Sequence, residues 1–376
     1  MQRLPGLDLM RAVAISWVLL FHALIMGLGT PALAVSQRGW MGVDLFFVLS
    51  GYLIGGQLLA VYGRGERPAL GDFYLRRALR ILPVYLLVVA VYFCLPDWRE
   101  QPDIQPLWQF FTFTENLLID FTRPKAFSHV WSLCVEEHFY LLFPLLAAWL
   151  AWRPSLRKTL TFCLGMVAAG MAWRGYVWLH DLQALFLADG DDFITRYHEQ
   201  IYYPSYTRLD GLLAGVMLAL VKVFRPQHWD ALMRRGNQLL VLGVAAMALS
   251  IWVFMPRFTL LPAVVGYPLL SFSLALIVAA AASPYSLLGR WRVPGAAALA
   301  AIAYSTYLSH KIIFHLSKPY LGPLRDEYPL LVLLGYAGAA LAVGSLLYWL
   351  VERPFLRWRD RLAGRRQPAA ATVLAA

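Results

Sequence analysis

Residues 7–29 read LDLMRAVAISWVLLFHALIMGLG. As a helix this run crosses a hydrocarbon core of ~30 Å. It nevertheless carries Asp8, Arg11 and His22, groups that a bilayer tolerates only where they face protein or water. The span therefore has an inner, polar face, and a lone helix cannot supply one. Ala32-Leu33-Ala34, just beyond it, imitates a signal-peptidase site. A disposable signal has no physical reason to hold three ionisable groups, so the run reads as a retained first helix.

Comparable apolar stretches recur near 41–62, 79–96, 131–152, 158–179, 201–222, 238–255, 262–282, 297–317 and 329–352. With 60% of the 376 residues apolar and 15% charged, the composition excludes a soluble globular domain. The expectation is an all-α, polytopic integral membrane helix bundle of about ten transmembrane helices. No polar linker interrupts the runs, so residues 1–360 read as one membrane domain and residues 361–376 as a short, basic and Ala-rich disordered tail.

The formal charge of +11 lies in short clusters between runs, which fits the positive-inside bias and gives no reason to invoke nucleic acid. Arg64, Arg67, Arg76, Arg77 and Arg80 fall on one side with Arg153, Arg157 and Lys158, then Lys222, Arg225, Arg234 and Arg235, then Arg290 and Arg292, and the C-terminal Arg353–Arg366 cluster. The loop after the fifth run is acidic, with Asp181, Asp189, Asp191, Asp192 and Glu199. Both termini are expected in the cytoplasm. The longest outer loop, 97–130, is a candidate surface lid over an acceptor site. No inverted repeat is visible, which disfavours a two-half transporter. Cys94, Cys134 and Cys163 are odd in number and not at zinc spacing, so no metal is expected.

Arg11 and His22 are eleven residues apart, which returns to nearly the same helix face about 16 Å higher. Asp8 lies one turn below Arg11 and can pair with it. Arg11 is open to an ordinary reading as a snorkelling interfacial charge, and His22 to one as a packing hydrogen bond. Against the second, an imidazole suits proton abstraction from a hydroxyl near neutral pH. Arg76, Arg77 and Arg80 stand at the cytoplasmic entrance to the third run; they are either topology signals or a cradle for phosphates. Ser132, Glu136 and Glu137 start the fourth run, either as helix-start chemistry or as an acid placed to orient His22 or to bind a sugar hydroxyl. Asp44, Tyr52, Arg208, Asp210, His310, Lys311 and Glu352 are further intramembrane or near-membrane polar groups, each equally open to a structural ion pair.

The fragments Gly6-Leu-Asp8-Leu-Met-Arg11 with His22, Gly39-Trp-Met-Gly-Val-Asp44 through Ser50-Gly51-Tyr52, and Phe73-Tyr-Leu-Arg76-Arg77-Ala-Leu-Arg80-Ile-Leu-Pro83 follow in order. So do Trp131-Ser132-Leu-Cys-Val-Glu136-Glu137, Arg208-Leu-Asp210-Gly211, Tyr304-Ser305-Thr306-Tyr307-Leu308 and Val351-Glu352-Arg353-Pro354-Phe355. Together they resemble the membrane-bound acyltransferase family 3, whose members O-acylate surface polysaccharides, lipids and small molecules. Cys134 and His138 depart from the residues more usual at those places. The resemblance implies that His22 and Arg11 are essential, that Arg77 and Arg80 form the arginine motif, and that Ser132 with Glu136 forms the serine-to-glutamate motif. It implies the stand-alone form, without the appended esterase-like domain of some members.

The reading so far is a bacterial inner-membrane O-acyltransferase using acyl-CoA, acetyl-CoA in the first place. Phosphates would dock on Arg77, Arg80, Arg76 and Arg11, and a carbohydrate, glycolipid or small-molecule hydroxyl acceptor would meet Asp44, Ser132, Glu137, Arg208 and Asp210. His22 acts as base or as acyl carrier, with Glu136 holding its tautomer. The competing classes are a proton-coupled transporter or flippase and a non-catalytic scaffold.

Overall fold

A computed structural model describes residues 4–28, 34–152, 155–188, 190 and 192–365. Residues Leu33, Arg153, Asp189, Asp191 and 366–376, on which several expectations fell, lie outside the described residues. Each apolar run contains a helix, and the first five coincide with α1 (Pro5–Ile25), α2 (Met41–Gly63), α3 (Leu70–Cys94), α4 (Trp131–Trp152) and α5 (Arg157–Leu187). The second half supplies α6 (Asp210–Phe224), α7 (Gly236–Val253), α8 (Pro262–Ala282), α9 (Ala296–Leu321) and α10 (Pro329–Leu347). The strand content among the described residues is two residue pairs, Asp103–Ile104 beside Lys125–Ala126. The chain is an all-α, polytopic membrane protein.

Eight of these helices are long and apolar enough to cross a bilayer by composition. The other two are α6, only 15 residues long, and α9, which carries His310, Lys311, His315 and Lys318. Both lie against several neighbours, α6 on α2, α5 and α8, and α9 on α1, α3 and α10. A helix walled by protein needs no continuous apolar belt, which is how the shortest and most polar members fit the centre of the bundle. The α2–α6 crossing is tight because glycine permits it. A Cβ on Gly215 would stand 2.2 Å from the Val48 carbonyl oxygen, and α2 is relaxed by a π turn over Gly51–Gly55 at that contact.

Three boundaries differ from the sequence expectation. Helix α3 begins nine residues before the apolar run, so Arg76, Arg77 and Arg80 sit on helix and not in its approach. Helix α6 begins at Asp210, after an extended Pro204 and a short 3₁₀ turn over Ser205–Thr207 that break the first part of the run from it. Arg208 therefore lies in a loop. A C-terminal helix, α11 (Arg353–Arg365), packs on α3 and takes up residues 361–365, which the tail was expected to claim.

The long loop after α3 does more than cover the surface. Trp108, Phe111, Leu117 and Leu118 are exposed, whereas Phe110, Glu115, Asn116 and Phe127 are fully buried. Phe127, in a left-handed conformation at φ 58°, stacks 4.2 Å from the Tyr92 ring and delivers the next residues, Ser128 and His129, into the bundle. This end of the bundle is called the loop end below, and the opposite one the arginine end.

Candidate active site

A cavity of about 990 Å³ enters from the arginine end, rimmed by Arg64, Arg359 and Asp360. Its wall brings together Asp8 and Arg11 from α1, Arg76, Arg77 and Arg80 from α3, and Ser132 and Glu136 from α4. Tyr52 lines it too and accepts a hydrogen bond of 3.0 Å from Lys222. Asp8 and Arg11 pair at 3.6 Å, as helix spacing led one to expect. Arg77 lies over the Tyr140 ring at 5.3 Å, and neither Arg77 nor Arg80 has a carboxylate within ion-pair distance among the described residues. Unpaired guanidinium groups in a concave wall are what an anionic ligand requires.

The cavity ends at Ser132 and Tyr307, whose hydroxyls lie 2.6 Å apart while Tyr307 donates to the His129 carbonyl. Among the described residues that line it, none is a histidine. Three imidazoles stand just behind that pair. His22, 8% exposed, has its ring centre 4.7 Å from His310 and 5.9 Å from His129, and the latter two are 4.8 Å apart. His22 Nδ1 meets the Val18 carbonyl at 3.1 Å and His310 Nδ1 meets the Tyr307 carbonyl at 2.7 Å. Each bond fixes Nδ1 as the protonated nitrogen and leaves Nε2 with its lone pair. Lys311 borders the group, 3.3 Å from Ser128 Oγ and 3.9 Å from Glu100. Among the described residues no group of His, Cys, Asp or Glu has an arrangement that holds a metal ion.

The structure does not bring Glu136 to His22. Its carboxylate accepts from the Tyr140 hydroxyl at 2.6 Å, on the cavity wall near the arginines. Glu137 keeps one oxygen buried without a protein partner, and Glu352 accepts from Ser305 at 2.7 Å. Asp44, Arg208 and Asp210 are all buried in ion pairs: Asp44 with Arg208 at 2.7 Å, and Asp210 with Arg174 at 2.8 Å. Sequence reasoning missed Arg174, although a charge within an apolar run was signal enough. It also missed His129 and Glu100, whose place depends on how the long loop folds. Arg257 was missed as well; it lies over the rings of Trp40 at 4.5 Å and Phe258 at 5.1 Å.

Glu115, in the same loop, is 0% exposed and both carboxyl oxygens lack a partner. Burial pushes its carboxyl well above the ordinary value of 4.5, with Lys311 opposing. The folded chain then keeps a proton that the unfolded chain releases, so this residue's stabilisation is complete below 4.5 and is lost as the pH rises toward the folded value. In detergent, melting temperature should fall with rising pH from about pH 5 upward more steeply in the wild type than in Glu115→Gln. Parallel curves for the two proteins would show that Glu115 is already ionised in the fold.

An arginine-walled cavity leading toward buried imidazoles narrows the possibilities, and comparison with known proteins closes the question of family. The family model described as an acyltransferase domain matches residues 4–349. The chain belongs to the membrane-bound acyltransferase family 3. The O-acetyltransferase OatA of Staphylococcus aureus (strain NCTC 8325 / PS 47) is 26% identical over 377 residues, covering 93% of this chain and 57% of the relative. The peptidoglycan O-acetyltransferase OatA of Listeria monocytogenes serovar 1/2a is 30% identical over 236 residues, 58% of this chain and 34% of the relative. The match thus spans little more than half the length of the first of these curated relatives and about a third of the second. No solved structure matches it.

Proposed function

We propose that this acyltransferase is an O-acetyltransferase that takes an acetyl group from acetyl-CoA at the cytoplasmic side and passes it to a hydroxyl of an extracytoplasmic acceptor. The acceptor is a cell-surface polysaccharide of the peptidoglycan kind, and the membrane is the bacterial cytoplasmic membrane. The observation that carries this reading is the cavity that runs from exposed arginines to within about one helical turn of a buried imidazole cluster. The names of the Staphylococcus and Listeria relatives support the acetyl group, and the second supports the acceptor class.

In this reading the arginine end is cytoplasmic, as are both termini, and the phosphates of the donor lie on Arg77, Arg80 and Arg76. Arg11, held by Asp8, adds a further guanidinium on the way inward. The thioester then reaches the Ser132–Tyr307 pair, and a turn of the Tyr307 ring admits it to His22. The His22 imidazole either receives the acyl group or takes the proton of the acceptor hydroxyl. Asp44, Arg208 and Asp210, engaged in buried ion pairs, hold the loop end in shape and leave the acceptor to other groups.

Purified protein incubated with radiolabelled acetyl-CoA should release free coenzyme A and acetylate a hydroxyl acceptor; a transporter or scaffold does neither. Arg77→Ala or Arg80→Ala should raise the KM for acetyl-CoA by roughly 10- to 100-fold, the worth of one charge-assisted contact of ~1.5–3 kcal/mol, with a much smaller change in kcat. An unchanged KM in both variants would remove the donor from this cavity.

A further inference from the structure

The fold groups three imidazoles where the sequence singled out one. We infer that His22 and His310 divide the chemistry: His22 carries the acyl group and His310 is the catalytic base that takes the proton of the attacking hydroxyl. The inference rests on the reading in which His22 receives an acyl group.

The two rings are 4.7 Å apart, inclined at 51°, and each Nδ1 is anchored to a backbone carbonyl from its own helix. Both Nε2 atoms are therefore lone-pair nitrogens in one small space, and that of His310 is buried without any protein partner. A neutral imidazole with a fixed tautomer and an unused lone pair, next to a second one, has no structural use for that lone pair. His129 is the weaker candidate. It is farther from His22, at 5.9 Å against 4.7 Å for His310. Of the carboxylates singled out in the sequence, Glu136 is engaged with Tyr140 and Glu352 with Ser305, and Glu100, at the edge of the cluster, faces Lys311 at 3.9 Å.

The steps balance. His22 Nε2 attacks the thioester carbonyl, the C–S bond breaks, and coenzyme A leaves as its thiolate. The acyl-imidazolium so formed keeps its Nδ1 proton on the Val18 carbonyl. A hydroxyl oxygen then attacks the acyl carbon while His310 Nε2 takes its proton, the C–N bond breaks, and His22 is again neutral. The proton on His310 is returned to the thiolate, so the net products are ester and thiol.

The test uses the full chain in detergent with radiolabelled acetyl-CoA and two nucleophiles, water and hydroxylamine. Water needs a base to attack; hydroxylamine does not. His310→Gln should accumulate protein-bound label, trapped by a rapid denaturing quench at neutral pH because an acyl-imidazole is labile in acid, approaching one acyl group per chain, hydrolyse it ~10²- to 10⁴-fold more slowly than wild type, and discharge to hydroxylamine at the wild-type rate. His310→Asn serves as the second variant, and retained coenzyme A binding verifies that either is folded. Wild-type hydrolysis in both variants would overturn the assignment, as would loss of labelling in a folded variant or the same accumulation in His129→Gln alone. If neither wild type nor His310→Gln takes up label at any quench time, the acyl-carrier reading of His22 itself has failed, which is a separate result.

Discussion

His22→Ala protein is expected to insert in the membrane, purify as a monodisperse species and transfer no measurable acetyl group. The expected loss is at least about 10³-fold in kcat/KM, because the substitution removes the only group proposed to accept the acyl chain, and a lost general base alone costs 10²–10⁴-fold. Coenzyme A affinity should remain near wild type, since the arginines that would hold the phosphates lie on the cavity wall, about three helical turns of α1 away from His22 at the level of Arg11. The side chain makes one hydrogen bond, to the Val18 carbonyl of its own helix, which the backbone also satisfies, so the fold does not depend on it. His22→Asn, closer in size, separates packing from chemistry. Full activity in either purified variant would defeat the role of this imidazole, whereas loss of both activity and coenzyme A binding would point to a collapsed bundle.

Much of this arrangement was legible in the sequence because a bilayer imposes strong rules. Each apolar run supplied a helix, the run at 201–222 only from Asp210 onward, since an unpaired backbone has no other way to lie in hydrocarbon. The stripe from Arg11 to His22 came from helical geometry alone, and so did the pair Asp8–Arg11. Glu136 shows where that reasoning ends. Its helix starts at the loop end, and His129, seven residues earlier, already stands at the level of His22. At about 1.5 Å per residue, Glu136 is carried some 10 Å toward the arginines, where Tyr140 receives it. Sequence places a residue along its own helix well but not against another helix. His129 was illegible for a different reason: it arrives from a long loop whose inward turn hangs on Phe127 stacking upon Tyr92. His310 and Lys311 were visible as polar groups in a span, yet nothing in the sequence said that α9 would lie against α1.

The buried pair Asp44–Arg208 gives the largest expected effect on stability. Arg208 is 1% exposed, bonds Asp44 at 2.7 Å and the Tyr202 carbonyl at 3.1 Å, and is boxed by the rings of Tyr267, Tyr202 and Trp131 at 4.3, 4.6 and 5.1 Å. Removing one partner leaves the other charge buried and uncompensated, so Asp44→Ala or Arg208→Ala should lose about 3–5 kcal/mol and melt well below wild type in detergent. Asp44→Leu combined with Arg208→Met removes both charges and should regain most of that loss, because apolar replacement of a whole buried pair is often neutral. The double variant also separates structure from chemistry. If the pair only ties α2 to the loop before α6, the restored fold should acetylate its acceptor at a rate within about tenfold of wild type, a difference of ~1.4 kcal/mol in barrier. A double variant that melts normally and hydrolyses acetyl-CoA normally, yet no longer acetylates the acceptor, would return Asp44 and Arg208 to the acceptor site.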